Sequence, residues 1–142
     1  PALTIDAEYE KEIEVTDYVT LHKDIQASHA YKIMPRIRRR PKILGAESLK
    51  RPIIWFDRKN NKIGFADLFF CQVFSENEIV RMTIQNVLPA KGGGASYLIL
   101  NLPDGKKYSI FFGPCYALDN EKDKIAEVTG LEVNTAPKAY DA

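Results

Sequence analysis

The sequence predicts a mainly β protein of the α+β kind, in which antiparallel strands are closed off by one C-terminal helix. Three observations predict it. Residues 53–70, IIWFDRKNNKIGFADLFF, read as strand, polar turn, strand. Residues 97–113, YLILNLPDGKKYSIFFG, repeat that layout around a tight turn. Strand does not alternate with helix along the chain, which argues against parallel βαβ units.

The elements follow in order. In LTIDAEY (3–9), Leu3, Ile5, Ala7 and Tyr9 alternate with Thr4, Asp6 and Glu8, the period of a half-buried strand. Ile13 and Val15 resume the alternation after Glu10-Lys11-Glu12, so a hairpin is expected there. From Asp17 the apolar spacing becomes helical. Tyr18, Leu21, Ile25 and His29 predict a helix over 17–31, with Thr16 or Asp17 as its N-cap and Pro35 beyond its end. Residues 32–52 hold Pro35, Pro41 and Pro52 and keep no period, so they read as a linker or an extended edge segment.

After the 53–70 hairpin, whose turn holds Asn60 and Asn61, residues 78–88 alternate as a further strand. PAKGGGAS (89–96) breaks it. The turn PDGK (103–106) places Gly105 where a positive φ is wanted. Asp119 or Asn120 is expected to cap a short helix, EKDKIAEVTG (121–130), which Gly130 terminates. Leu131 and Val133 follow, and a loose tail is expected over 135–142. The expected organisation is an N-terminal extension of hairpin, helix and basic linker (1–49), a β domain (50–134) and the tail.

Length and composition fit this plan. The chain has 142 residues, 45% hydrophobic and 27% charged, ordinary values for one soluble domain. The net charge of +1 hides a strong asymmetry. Residues 1–31 carry two basic and seven acidic residues, net −5; residues 32–62 carry eleven and two, net +9; residues 63–142 carry seven and ten, net −3. The densest part of the basic band is RIRRRPK (36–42). Such a band points to an anionic partner or surface, or to a solvated connector packed beside acidic neighbours. Cys71 and Cys115 lie in no CxxC pattern and read as buried, reduced thiols. The longest apolar window, IGFADLFFCQVF (63–74), contains Asp67 and falls short of the about 20 residues that a membrane helix needs.

The β region also resembles the pleckstrin-homology-like domains of bacterial membrane-associated proteins. The residues that carry the resemblance are the IIWFDRKNNKIGF hairpin, the YLILNLPDGKKYSIFFG hairpin and EKDKIAEVTGLEV running into an apolar segment, together residues 50–134. The resemblance implies a partly open antiparallel barrel plugged by the helix. It implies a module that binds other proteins, of the toxin-immunity or accessory-subunit kind, in the cytoplasm at the inner membrane surface. Relatives of that kind carry a transmembrane anchor ahead of the domain. This chain opens on Pro1 and shows no span, so it reads either as lacking that anchor or as a soluble relative.

The residues name no reaction. His22 and His29, seven apart, would stand about 10 Å apart along a helix, too far to share a metal. Ser28 and His29 are adjacent and would point apart, which disfavours a nucleophile–base pair. KGGGAS (91–96) lacks the Lys-Ser/Thr pair and the following helix of a phosphate loop. Glu8, Glu10, Glu12 and Glu14 read as one solvated face. Trp55, Phe56, Phe65, Phe69, Phe70 and Phe74 read as core, with Trp55, Phe56, Arg58 and Lys59 a faint version of a nucleic-acid stacking surface.

No catalytic residue, metal site or cofactor is therefore expected. The expected function is a non-enzymatic interaction or regulatory module with a protein partner. Its contact residues would be Arg36, Arg38, Arg39, Arg40, Lys42, Arg51, Arg58 and Lys59. An anionic membrane surface is the second partner class. The alternative function is a nucleic-acid-binding protein that uses the basic band 32–62.

Overall fold

The apolar runs of the sequence pair into two sheets that face each other. The computed structural model describes residue 15 and residues 17–28, 51–67, 71–89 and 92–141. Its elements are β1 (Asp17–Thr20), β2 (Gln26–Ala27), β3 (Ile53–Asp57), β4 (Lys62–Ala66), β5 (Cys71–Ser75), β6 (Arg81–Pro89), β7 (Ala95–Asn101), β8 (Lys107–Pro114), α1 (Lys122–Thr129), β9 (Val133–Thr135) and β10 (Ala139–Asp141). A four-stranded sheet runs β1-β3-β4-β5, and a six-stranded one runs β10-β6-β7-β8-β2, with β9 also on β6. The fold is mainly β with one short C-terminal helix, and the sheets do not close into a barrel.

The two hairpins expected from the sequence are present. β3 and β4 turn through Asn61 at φ 54°, and β7 and β8 turn through Gly105 at φ 85°. The strand expected over 78–88 begins later, at Arg81, after a 3-10 turn at Glu76–Glu78, where the Ser75 amide donates to Glu78 Oε1 at 2.7 Å. Along β6, Met82, Ile84 and Asn86 point inward and alternate with partly exposed Thr83 and Gln85. α1 stops where expected, at Gly130, which takes a left-handed φ of 70° and whose N–H donates to the Ala126 carbonyl at 2.9 Å.

Four expectations are corrected. The helix predicted over 17–31 is, through residue 27, strand, turn and strand: β1 pairs antiparallel with β3 and β2 with β8. Leu21 and Ile25 do meet the core as a helix would place them, but Val19 also points there while Tyr18 packs on the opposite face, and that period of two is a strand's. Asp17 pairs with Arg58 rather than capping a helix. Likewise Asp119 makes no side-chain cap for α1; a 3-10 turn at Asp119–Glu121 leads into the helix, and the Asp119 carboxylate accepts a hydrogen bond from Asn86 instead. The tail is not loose throughout, because β9 and β10 both lie parallel along β6. Finally, Cys71 is buried as expected whereas Cys115 is half-buried; they form no disulfide. The expectations for the 3–9 strand and its hairpin, for His29 and for residues 32–50 lie outside the described residues.

The main core fills the space between the sheets beneath α1. Phe65 links its parts: its ring meets Phe74 edge-on at 5.7 Å and Phe111 across the gap at 6.2 Å. The other face of the four-stranded sheet is also apolar, with Ile53, Trp55, Ala66, Cys71, Val73 and Val15 buried together. Trp55 lies flat over the Gly64 backbone on the neighbouring strand, and a Cβ at Gly64 would fall inside the indole ring. The tail strands cover the outer edge of β6, which would otherwise present unpaired backbone groups. Thr83 Oγ1 donates to Asn134 Oδ1 at 2.9 Å, and Gln85 Nε2 donates to the Pro137 carbonyl at 2.9 Å, fixing the register of that strap.

Candidate functional site

Of the contact residues expected from the sequence, the three that lie among the described residues, Arg51, Arg58 and Lys59, do not form one cluster. Arg36, Arg38, Arg39, Arg40 and Lys42 lie outside the described residues. Arg51 stands just before β3, where its Nε donates to the Leu21 carbonyl at 2.7 Å. Arg58 and Lys59 lie past the other end of β3, seven residues on, a strand distance of roughly 23 Å. Arg58 is also spoken for: its Nε donates to Asp17 Oδ2 at 2.6 Å, and its guanidinium lies 5.5 Å from the Phe56 ring centre. The β1–β3 register, which sets Asp17 opposite Phe56, creates that pairing. Trp55 is fully buried, so its ring forms no part of a nucleic-acid stacking surface. His22 is exposed, and its Nδ1 accepts the Asp24 amide at 3.1 Å. Among the described residues no group of three or more His, Cys, Asp or Glu side chains is placed to hold a metal. The cavity between Ala27, Phe65, Gln72 and Phe111 measures about 10 Å³, room for about one water.

A different cluster forms at the end of the six-stranded sheet, where β6, β8 and β10 finish. It starts from Asn86. This side chain is 2% exposed, and burial obliges its amide to find partners. Asn86 Nδ2 donates to Asp119 Oδ2 at 2.8 Å, and its Oδ1 accepts the Tyr116 backbone N–H at 3.1 Å. That bond holds the turn after β8, where Tyr116 adopts φ 69°. A left-handed backbone is strained for a residue with a large side chain, and such strain persists only where the surroundings impose it. The turn leaves the Tyr116 ring 41% exposed.

Lys138 completes the cluster from the tail. Its Nζ lies 5.1 Å from the Tyr116 ring centre, within cation–π range. The hydrogen bond from Lys138 to the Tyr116 side chain, and then the negative charge of Tyr116 when ionised, raise the lysine pKa above its ordinary 10.5. Tyr140 and Cys115, when ionised, raise it further and more weakly. Lys138 and Tyr140 are two residues apart on an extended chain and so share one face of it. Tyr140 is 76% exposed, the most exposed of the three large exposed hydrophobic side chains, Val80, Tyr116 and Tyr140, among the described residues. Two of those three therefore flank one lysine.

The family model of the PM0294 C-terminal domain matches residues 4–140. The chain belongs to that family. The match takes in every described strand from β1 to β9 and reaches Tyr140 within β10, so the tail strap and the face it carries lie inside the family's boundaries. No solved structure matches the chain. Among the described residues no helix is long and apolar enough to cross a membrane.

Sequence reasoning passed over Tyr116, Lys138, Tyr140 and Asn86. GPCYALD carries no residue that announces a left-handed turn at Tyr116, since glycine and asparagine are the usual signals. The alternation in PKAYDA was the one available hint, because Lys138 and Tyr140 on one side and Ala139 on the other is a short strand's pattern.

Proposed function

We propose that the domain is a non-enzymatic protein-interaction module whose contact face is built by Tyr116, Lys138 and Tyr140. The observation that carries this is the outward hold on Tyr116: a strained backbone, fixed by a buried asparagine, presents an aromatic ring to solvent beside a cation. Tyrosine is among the side chains on which protein interfaces concentrate their binding energy. The expected resemblance to pleckstrin-homology-like modules, and the expected cytoplasmic site at the inner membrane surface, are in keeping with such a role. In that setting the band 32–62 would face anionic headgroups, each basic residue contributing about 1 kcal/mol.

The test is affinity purification of the tagged domain from its native cells, run in parallel with Tyr140→Ala, Lys138→Ala and Val80→Ala. Val80 is 49% exposed but stands before the opposite end of β6 from Leu88, the partner of Tyr140. A stoichiometric protein should co-purify with the parent and with Val80→Ala and be lost from the other two. A partner retained by both face variants would overturn the assignment of the face, and no stoichiometric partner from any sample would overturn the module itself.

A further inference from the structure

The face carries a cation that has no carboxylate partner among the described residues. Among the described residues Arg58 pairs with Asp17 and Lys106 with Asp104; Lys138 is in neither pair. The carboxylate next along the chain from Tyr116, Asp119, has its Oδ2 engaged by Asn86. Lys138 is fully exposed, and an ammonium held beside an aromatic ring keeps its charge available to a third group. β10 ends the order of the six-stranded sheet, so no described strand lies on its outer side. Pro137 and Lys138 restrict how far another strand could pair there, which leaves side chains to carry the contact.

We infer that this face takes a short, extended, acidic segment of the protein partner, with a carboxylate on Lys138 and apolar side chains against the Tyr116 and Tyr140 rings. The inference rests on the interaction-module reading and adds the chemistry of the segment. An extended segment presents every second side chain to one side, matching the two-residue spacing of Lys138 and Tyr140. Charge complementarity selects acidic over basic segments, since a like charge opposite Lys138 is repelled. It also selects a peptide over nucleic acid, which brings a phosphate with every nucleotide to a face with a single described cation.

A library of short random peptides displayed on phage, panned on the folded domain with Lys138→Glu/Tyr140→Ala for counter-selection, tests this. Enriched peptides should carry Asp or Glu beside aliphatic or aromatic residues. A labelled copy of the leading peptide should lose about tenfold in affinity on Lys138→Gln, keep it on Lys138→Arg, and weaken as sodium chloride rises. No enrichment, enrichment without acidic bias, or acidic peptides indifferent to Lys138→Gln would each overturn the inference. The module reading would still be judged separately by co-purification. Labelled oligothymidine that binds the parent and is released by Lys138→Gln would overturn it in favour of nucleic acid.

Discussion

Two ends of the molecule set an exposed cation against an aromatic ring, and only one of them leaves the cation available. At the β3–β4 turn Arg58 lies 5.5 Å from Phe56 and is neutralised by Asp17 at 2.6 Å. At the end of β6 Lys138 lies 5.1 Å from Tyr116, and no described carboxylate pairs with it. The first lies in the sequence's +9 segment and the second in a net-acidic one. Local charge density therefore does not locate the open cation. Strand pairing does, because β1 delivers Asp17 to one end and the pairing of β10 with β6 holds the preceding residue, Lys138, at the other.

The largest expected effect lies in the sheet that supports the first end. Gly64→Ala pushes a methyl into the Trp55 indole on a sheet buried on both faces, and should cost about 3 kcal/mol in chemical denaturation. Asn86→Ala should come next, at about 2 kcal/mol, because it leaves the Tyr116 N–H and the Asp119 carboxylate without their partner. It should also release the left-handed turn and with it the partner, whereas Gly64→Ala protein that remains folded should still bind.

Much of the scaffold was legible. Both hairpins follow from apolar alternation around Asn61 and Gly105, and α1 from its periodicity and Gly130, since these signals are local. The residues of β1 and β2 mimic a helix in sequence because Tyr18, Leu21 and Ile25 satisfy a helical spacing by coincidence; their strand identity comes from β3 and β8, partners distant in sequence. β10 is three residues long and has meaning only against β6. The candidate face was illegible for the same reason. It joins a turn after β8 to the tail through an asparagine on β6, and no one segment carries its pattern.

Smaller effects sharpen the contrast between the two ends. Arg58→Ala should cost at most about 1 kcal/mol, since its ion pair is solvent-exposed at 71% and 38%, and should leave partner binding intact. Lys138→Ala and Tyr140→Ala should shift stability by no more than about 0.5 kcal/mol and weaken binding about tenfold or more. The smallest effect is a titration. Lys138 should lose its proton above pH 10.5, observed by NMR of the side-chain methylene next to Nζ, and Tyr116→Phe should bring the midpoint back toward 10.5. A raised folded-state pKa stabilises the fold fully below 10.5, and that contribution is lost as pH rises through the folded value, so neutral-pH stability should be insensitive to it.

Site-directed photo-crosslinking compares the two ends most directly. A benzoylphenylalanine is placed at position 140 in one sample and at position 58 in another, both in native cells. The face assigned here requires a discrete protein adduct from position 140 that disappears with Lys138→Glu, and none from position 58. An adduct from position 58 alone, or one from position 140 that persists with Lys138→Glu, would contradict it.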